Sequence, residues 1–331
     1  MQSNSFEIDI GNFLNELVAD VKFVSESFEA TFLNFGCNFH VGRNIPHLNL
    51  IKTAFLKSGS ALREIDIYLS TDTDSFTLQD SNLLKILQDL HPSTNRFGSY
   101  RFSADPSGNF LYLYDTRKKV GGVWISPNVS EVPEMLITPF RALISWILES
   151  AGAVILHASS FTLGGRNILL AGPSGSGKST IAFEALERSE TVMCDDAIAL
   201  TLTGCFPIYS KMKLKSFVES IKVSGSKIDC EQVGSKSVLN LTDVSSFQRN
   251  GYLPNLLLFP SLALKSKFDD LPSSEALKKI MTDSFSETLG SSIGALQLMN
   301  SVISNVRTID WHLGPDPSLN WEELEALVLK L

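Results

Sequence analysis

Apolar positions change their period along the chain, and the change marks the elements. Ile10 to Val21 (IGNFLNELVADV) repeats at helical spacing. Phe28–Phe39, Glu64–Leu69 and Ser99–Phe102 read as short strands. YRFSADPSGNFLYLYD sets two alternating runs around Asp105-Pro106-Ser107-Gly108, where proline fixes φ and glycine supplies a positive φ, so a hairpin is expected. Gly121–Ile125 would add a third strand, and Ser126–Pro133 a linker. PEMLITPFRALISWILESAG predicts one amphipathic helix between Pro133 and Gly152.

The second half opens on strand-like Ala153–Phe161, a turn at Gly164-Gly165, and the apolar strand Asn167–Ala171. A helix is expected over Ser179–Arg188, and a short strand at Val192–Met193 ending on Cys194-Asp195-Asp196. One helix and one turn separate the loop from these acids, so their strand is expected next to the loop strand. Met212–Phe217, Ser237–Leu241 and Leu256–Leu262 read as further strands. Helices are expected over Ser273–Phe285, Leu296–Val306 and Trp321–Leu331, the last capped by Asn320. The expected division is residues 1–130, a mixed α+β region, and residues 131–331, an α/β catalytic region.

Gly172-Pro173-Ser174-Gly175-Ser176-Gly177-Lys178-Ser179, followed by Thr180, matches G-x-x-x-x-G-K-[ST] at every fixed position. Glycines let backbone N–H groups converge on an anion, and the following helix turns its positive end toward it. Lys178 would neutralise the β and γ oxygens of ATP, and the Ser179 hydroxyl would ligate Mg²⁺. The loop alone fits a transport motor, a switch or a kinase. The chain has no LSGGQ-like signature and no NKxD motif, which removes the first two. Asp195 and Asp196 suit a division of labour: one acid holds the metal, the other accepts a proton from an attacking hydroxyl. His157, counted back from the glycine turn, falls at the level of Gly172, where it could bond an acid or a phosphate oxygen.

His157-Ala158-Ser159, the glycine turn, GPSGSGKST and CDD together resemble the catalytic core of the HPr kinase/phosphorylase family. They are closest to the HPr-kinase-like proteins of peptide-modification clusters, and similar also to the core of ATP-dependent phosphoenolpyruvate carboxykinase. The resemblance spans about residues 150 to 220. It implies an α/β P-loop kinase core with a separate N-terminal domain. It further implies Asp196 as general base assisted by His157, Lys178 on the transferring phosphate, and Mg²⁺ on Ser179 with Asp195. The acceptor would be a serine hydroxyl of a small protein or peptide, and related kinases assemble as homo-oligomers. The glycine-rich segment that carries a further metal-binding Glu in that family reads PIYSKMKLKSF here, and Glu219 is the nearest candidate.

Lys211, Lys213 and Lys215 recur at period two. Two readings compete: an edge strand guarded by lysine, or an anion site, with Lys213 as the phosphate or substrate contact. Lys236, after a glycine and before a strand, is a weaker candidate for the same work; Arg166, in the turn before the loop strand, reads as solvated, and His312 as a surface residue rather than a substrate contact. Phe28, Phe32, Phe35 and Phe39 read as core rather than a base-stacking platform.

Composition narrows the class. The 331 residues are 44% hydrophobic and carry a net charge of −8, enough for real cores and unsuited to nucleic acid or an anionic membrane as main partner. Cys37, Cys194, Cys205 and Cys230 lack zinc spacing, as do His40, His47 and His91. No basic leader or spanning apolar run is seen, so a cytoplasmic protein is expected. The function expected is an ATP- and Mg²⁺-dependent kinase acting on a hydroxyl. The alternatives are a small-molecule kinase on the same core, or a nucleotide-binding regulator or ATPase without transfer.

Overall fold

A computed structural model describes residues 2–21, 26–33, 35–56, 63–71, 95–104, 108–127, 129, 134–214, 218–284 and 293–331. The Asp105–Ser107 turn, His91, Pro133 and Lys215 lie outside these residues, and the Phe35 side chain lies outside those described. The architecture is mixed α/β, with several sheets and, among the described residues, seven helices. The chain divides into two compact units, Met1–Ser150 and Ala151–Leu331. The division falls later than the expected boundary, because the helix Arg141–Glu149 packs on a strand of the first unit.

The first unit is built on a seven-stranded sheet. Its strands are β1 (Glu26–Phe32), β2 (Phe35–Val41), β3 (Arg63–Ser70), β4 (Asn95–Phe97), β5 (Tyr100–Ala104), β6 (Phe110–Asp115) and β7 (Val120–Ile125), in the order β1-β2-β3-β7-β6-β5-β4. The expected single strand over Phe28–Phe39 is thus a hairpin, β1 and β2. Helix α1 (Gln2–Val21) covers one face through Ile10, Leu14 and Leu17, against Leu111, Leu113 and Trp124. The approach is close: a Cβ on Gly122 would stand 2.9 Å from Leu14 Cδ1. Phe39, Phe55, Tyr112 and Phe140 pack ring to ring at 5.3–6.3 Å, joined by α2 (Leu48–Ala54) and α3 (Arg141–Glu149). With both faces covered, every residue of β6 is buried. The single helix expected after Pro133 is interrupted. A 3₁₀ turn over Glu134–Ile137 precedes Phe140, whose φ of 61° closes that turn before α3 begins.

The second unit starts with β8 (Val154–Leu156), β9 (Ala158–Leu163) and β10 (Arg166–Ala171), followed by α4 (Lys178–Glu187), β11 (Thr191–Cys194), β12 (Ile198–Thr201), β13 (Gly204–Pro207) and β14 (Lys211–Leu214). Next come β15 (Ser220–Val223), β16 (Ser226–Asp229), β17 (Glu231–Val233), β18 (Lys236–Asn240), β19 (Leu256–Leu262) and β20 (Lys267–Asp270). The chain ends with α5 (Ser273–Ser284), α6 (Ile293–Ile303), β21 (Arg307–Leu313) and α7 (Pro317–Leu329).

The central sheet has the order β11-β9-β10-β19-β21-β20. Strands β10, β19 and β21 are parallel neighbours, a pairing that needs both faces covered. Period two delivers this. Ile168, Leu170, Leu256 and Leu258 pack with Ile181 and Ala185 of α4 and Trp321 of α7. Leu169, Ala171, Leu257 and Phe259 pack on the other face with Ala276 and Ile280 of α5 and Met299 of α6. Each fully buried leucine contributes roughly 1.5–3 kcal/mol. The strand bearing the acids, β11, pairs with β9 and not with the loop strand. This corrects the expected neighbourhood: the hairpin partner β9 takes the place beside β10.

Helix α4 ends in a Schellman motif. Ser189, at φ 64°, donates to Leu186 O, and Glu190 donates to Ala185 O. Helix α7 begins earlier than expected. Asp316 is its cap, accepting from the N–H groups of Ser318 and Leu319, with Pro317 first in the helix. Asn320 lies inside the helix, where its amide accepts from Gly314 N–H and donates to Gly314 O, both at 2.8 Å. Among the described residues, no helix is long and apolar enough to cross a membrane.

Candidate functional site

The glycine-rich loop joins β10 to α4, so the strand–loop–helix order of the motif is realised. Gly177 caps the helix at φ 106°, a left-handed value open to glycine at little cost. A Cβ there would also stand 2.6 Å from Leu313 Cδ1. Lys178 opens α4, is 4% exposed, and folds its ammonium back over the loop. It donates to Gly172 O at 2.6 Å and Pro173 O at 2.9 Å. The Ser176 hydroxyl is buried in the loop with no hydrogen-bond partner. Such an orphan costs roughly 1–3 kcal/mol and would be satisfied by an oxyanion seated in the loop.

Two chain crossings bring the remaining groups to this end of the sheet. Leu156 pairs with Ile198 in the small sheet β13-β12-β8, whereas Ala158 pairs with Ala171 in the central sheet. His157 is the residue between, outside both ladders and beside the level of Gly172. Asp195 and Asp196 make the reverse crossing, from β11 to β12. The Leu156–Ile198 register therefore holds His157 and the acids together. His157 Nδ1 lies 3.5 Å from Asp196 Oδ1.

Consecutive strand residues point to opposite faces, so two adjacent acids on a strand would part. Here they do not. Asp196 has φ 78°, and Ala197 N–H donates to Asp195 O at 3.1 Å. That is the geometry of a γ-turn centred on Asp196, a rare and strained form. Such strain is of order 1–3 kcal/mol. Both carboxylates meet one residue of β14: Lys213 N–H donates to Asp195 Oδ2 at 3.2 Å, and the Lys213 ammonium pairs with Asp196 Oδ2.

Asp195 is 1% exposed. Burial, then the Asp196 charge, push its carboxyl up; the hydroxyls of Ser159 and Ser179 and the Lys213 N–H pull it back. Ser159 Oγ donates to Asp195 Oδ1 at 2.7 Å. Ser159 belongs to the His157-Ala158-Ser159 motif read in the sequence, but no role was assigned to it there. These residues fit Mg²⁺. Ser179 and Asp195 are hard oxygen donors in direct contact, and a buried carboxylate raised by burial gains from a cation. Among the described residues, no group of three or more His, Cys, Asp or Glu is assembled for a metal.

The period-two lysines part company. Strand β14 is an edge strand of the sheet β14-β18-β17. Lys211 is nonetheless buried, 3.8 Å from Glu231, and Lys213 is half-buried on Asp196. Guarding an edge against solvent partners accounts for neither. Glu219 is exposed beside β15. His312 is bound by Ser261 at 3.2 Å and lies 3.5 Å from Asp269; His40 is bound by Asp66 at 2.8 Å. Arg166 and Lys236 are half-buried at the starts of β10 and β18. All four cysteines are free thiols, and burial pushes Cys37 and Cys205 up to about 12.

No family model matches the chain, and no curated protein matches it. Among solved structures, the chain is similar to the Hpr(Ser) kinase/phosphatase from Coxiella burnetii, at 13% identity and a TM-score of 0.27, over 53% of this chain and 88% of that one. A likeness of this size carries no argument about activity, so the roles of these residues rest on their geometry.

Proposed function

We propose that the chain is an ATP-dependent, Mg²⁺-requiring kinase that transfers the γ-phosphate to a hydroxyl, a serine of a small protein or peptide. One observation carries the reading: an acid in a strained turn, Asp196, is held by His157 and Lys213 beside a glycine-rich loop whose lysine opens a helix. A nucleotide sensor has no use for a second acid kept in that conformation.

The loop N–H groups and the α4 N-terminus bind the polyphosphate, and Lys178 turns from its own loop carbonyls to the phosphate oxygens. Ser179 and Asp195 would hold Mg²⁺, which would supply positive charge to offset that of the polyphosphate. The acceptor hydroxyl oxygen attacks the γ-phosphorus, the bond to the β–γ bridging oxygen breaks, and ADP leaves. The hydroxyl proton passes to an Asp196 oxygen. His157 and Lys213 keep that carboxylate oriented, and Lys213 is within the same cluster to meet a phosphate.

The test is transfer from γ-labelled ATP to candidate acceptors, read by mass spectrometry of the acceptor. Asp196→Asn should lose transfer by about 10²–10⁴-fold with nucleotide affinity kept, since asparagine tolerates the positive φ. Lys178→Ala should weaken both. Transfer at the parent rate by Asp196→Asn sinks the base assignment. Release of free phosphate with every acceptor replaces the kinase with an ATPase.

A further inference from the structure

Strands β9 and β11 pair antiparallel, with Val192 opposite Phe161 and Cys194 opposite Ser160. Met193 is therefore an extra residue, and the register shifts across it. An unshifted ladder would set Met193 against Ser160, Cys194 against Ser159 and Asp195 against Ala158. The bulge moves each of them by one position. Asp195, the first residue past the end of β11, then falls opposite Ser159. Bulges re-aim side chains in this way beside functional sites.

Ser159 alternates along β9 with Phe161 and Leu163, which pack in one core with Ile181 and Ala185 of α4. It therefore faces the helix whose first turn carries Ser179. Ser159 is fully buried, and its hydroxyl donates to Asp195 Oδ1 at 2.7 Å. The other oxygen, Oδ2, accepts from Lys213 N–H at 3.2 Å. The two donors come from different sheets, Ser159 from the central one and Lys213 from β14-β18-β17. A single bond would leave the carboxylate free to swing, whereas a donor at each oxygen fixes its plane. The neighbouring hydroxyl is spent elsewhere. Ser160 is equally buried, donates to Ile168 O at 2.8 Å and meets the Tyr252 hydroxyl.

We propose that Ser159 is a positioning residue of the divalent-cation site: its hydroxyl, together with the Lys213 N–H, holds the Asp195 carboxylate in the orientation that meets a cation on Ser179. The inference rests on the reading of Ser179 and Asp195 as the Mg²⁺ ligands. Hydrogen-bond partners that orient a ligating side chain are worth about 10–100-fold in metal affinity. A serine that only filled the core would alter stability and leave that affinity alone.

Three full-length chains decide it: the parent, Ser159→Ala and Ser160→Ala. Mn²⁺, a spin-active replacement for Mg²⁺, is titrated into each with equimolar ADP, and the free ion is read by electron spin resonance. Calorimetric titration with metal-free ADP reports separately on the loop. Ser159→Ala should bind Mn²⁺ about 10- to 100-fold more weakly than the parent, with its metal-free ADP affinity within about threefold. Ser160→Ala should keep both affinities. Ser159→Cys, which retains the shape with a weaker donor, should fall between the parent and Ser159→Ala. Parent-level Mn²⁺ affinity in Ser159→Ala overturns the positioning role. An equal loss in Ser160→Ala, or an equal loss with and without metal, overturns it too, because strand packing would then be the cause. A parent that binds ADP and takes up no Mn²⁺ defeats the metal reading itself, and the role of Ser159 falls with it.

Discussion

Lysines two apart on β14 have opposite electrostatic fates. Lys213 reaches Asp196 and gains a partner. Lys211 is 3% exposed; burial pulls its pKa below the ordinary lysine value near 10.5, with Glu231 and Asp243 acting the other way. The charged form is the one the fold disfavours. Its cost is therefore full below the folded pKa and vanishes as pH rises past the unfolded value. Buried ion pairs replaced by well-packed apolar side chains are often neutral or stabilising. Lys211→Met should accordingly raise the melting temperature at pH 7, by a stability gain of about 1 kcal/mol, and the advantage should shrink as pH rises toward the ordinary lysine value near 10.5. A lower melting temperature at pH 7, with a gap that ignores pH, would mean that the Glu231 pair outweighs burial. The resemblance singled out Lys213, but the alternation itself did not separate these two lysines, because period two assigns a face but not a partner. The same limit hid the γ-turn: Cys194-Asp195-Asp196 reads as the end of a strand, and only the hydrogen bond across Asp196 turns both acids to one residue.

Elements were far more legible than their neighbours. Strand β10, the glycine-rich loop and helix α4 stand where the motif set them, because each is dictated locally by apolar alternation, positive-φ glycines and helix-forming residues. Pairing is not local. The strand order put β9 between β10 and β11, with no spacing rule to announce it. Capping failed for a related reason: Asn320 and Asp316 are both good caps, and the chain uses one for the helix and the other to clamp Gly314. The loop's dependence on its backbone is testable at Gly177. Alanine there must hold φ 106° with its Cβ against Leu313. Relief of the contact needs the buried Leu313 side chain to turn aside, and the positive φ stays strained whatever the space. Gly177→Ala should cost about 1–2 kcal/mol of stability and weaken ADP binding at least about tenfold, a loss of roughly 1.4 kcal/mol. Parent-level ADP affinity in this variant would show that the left-handed cap is not what shapes the loop.

At the scale of the molecule, the cores follow the two units. One apolar cluster draws on residues from Ile10 to Trp124, and two others on residues from Val154 to Val328. Every group placed at the candidate site (the loop, His157, Ser159, both acids and Lys213) belongs to the second unit, Ala151–Leu331. That unit buries both faces of its central sheet with its own helices and small sheets, so it is long enough and covered enough to stand as a domain. Expressed alone, Ala151–Leu331 should melt in a single cooperative transition and bind ADP within about threefold of the full chain, since less than 0.7 kcal/mol separates the two. Acceptor transfer is the measurement that can divide them. A fragment that keeps ADP affinity and loses transfer to a polypeptide assigns acceptor recruitment to Met1–Ser150. A fragment that binds ADP more than tenfold weaker, or fails to melt cooperatively, contradicts a self-contained site. In that case the first unit contributes to the chemistry itself and not only to what is brought to it.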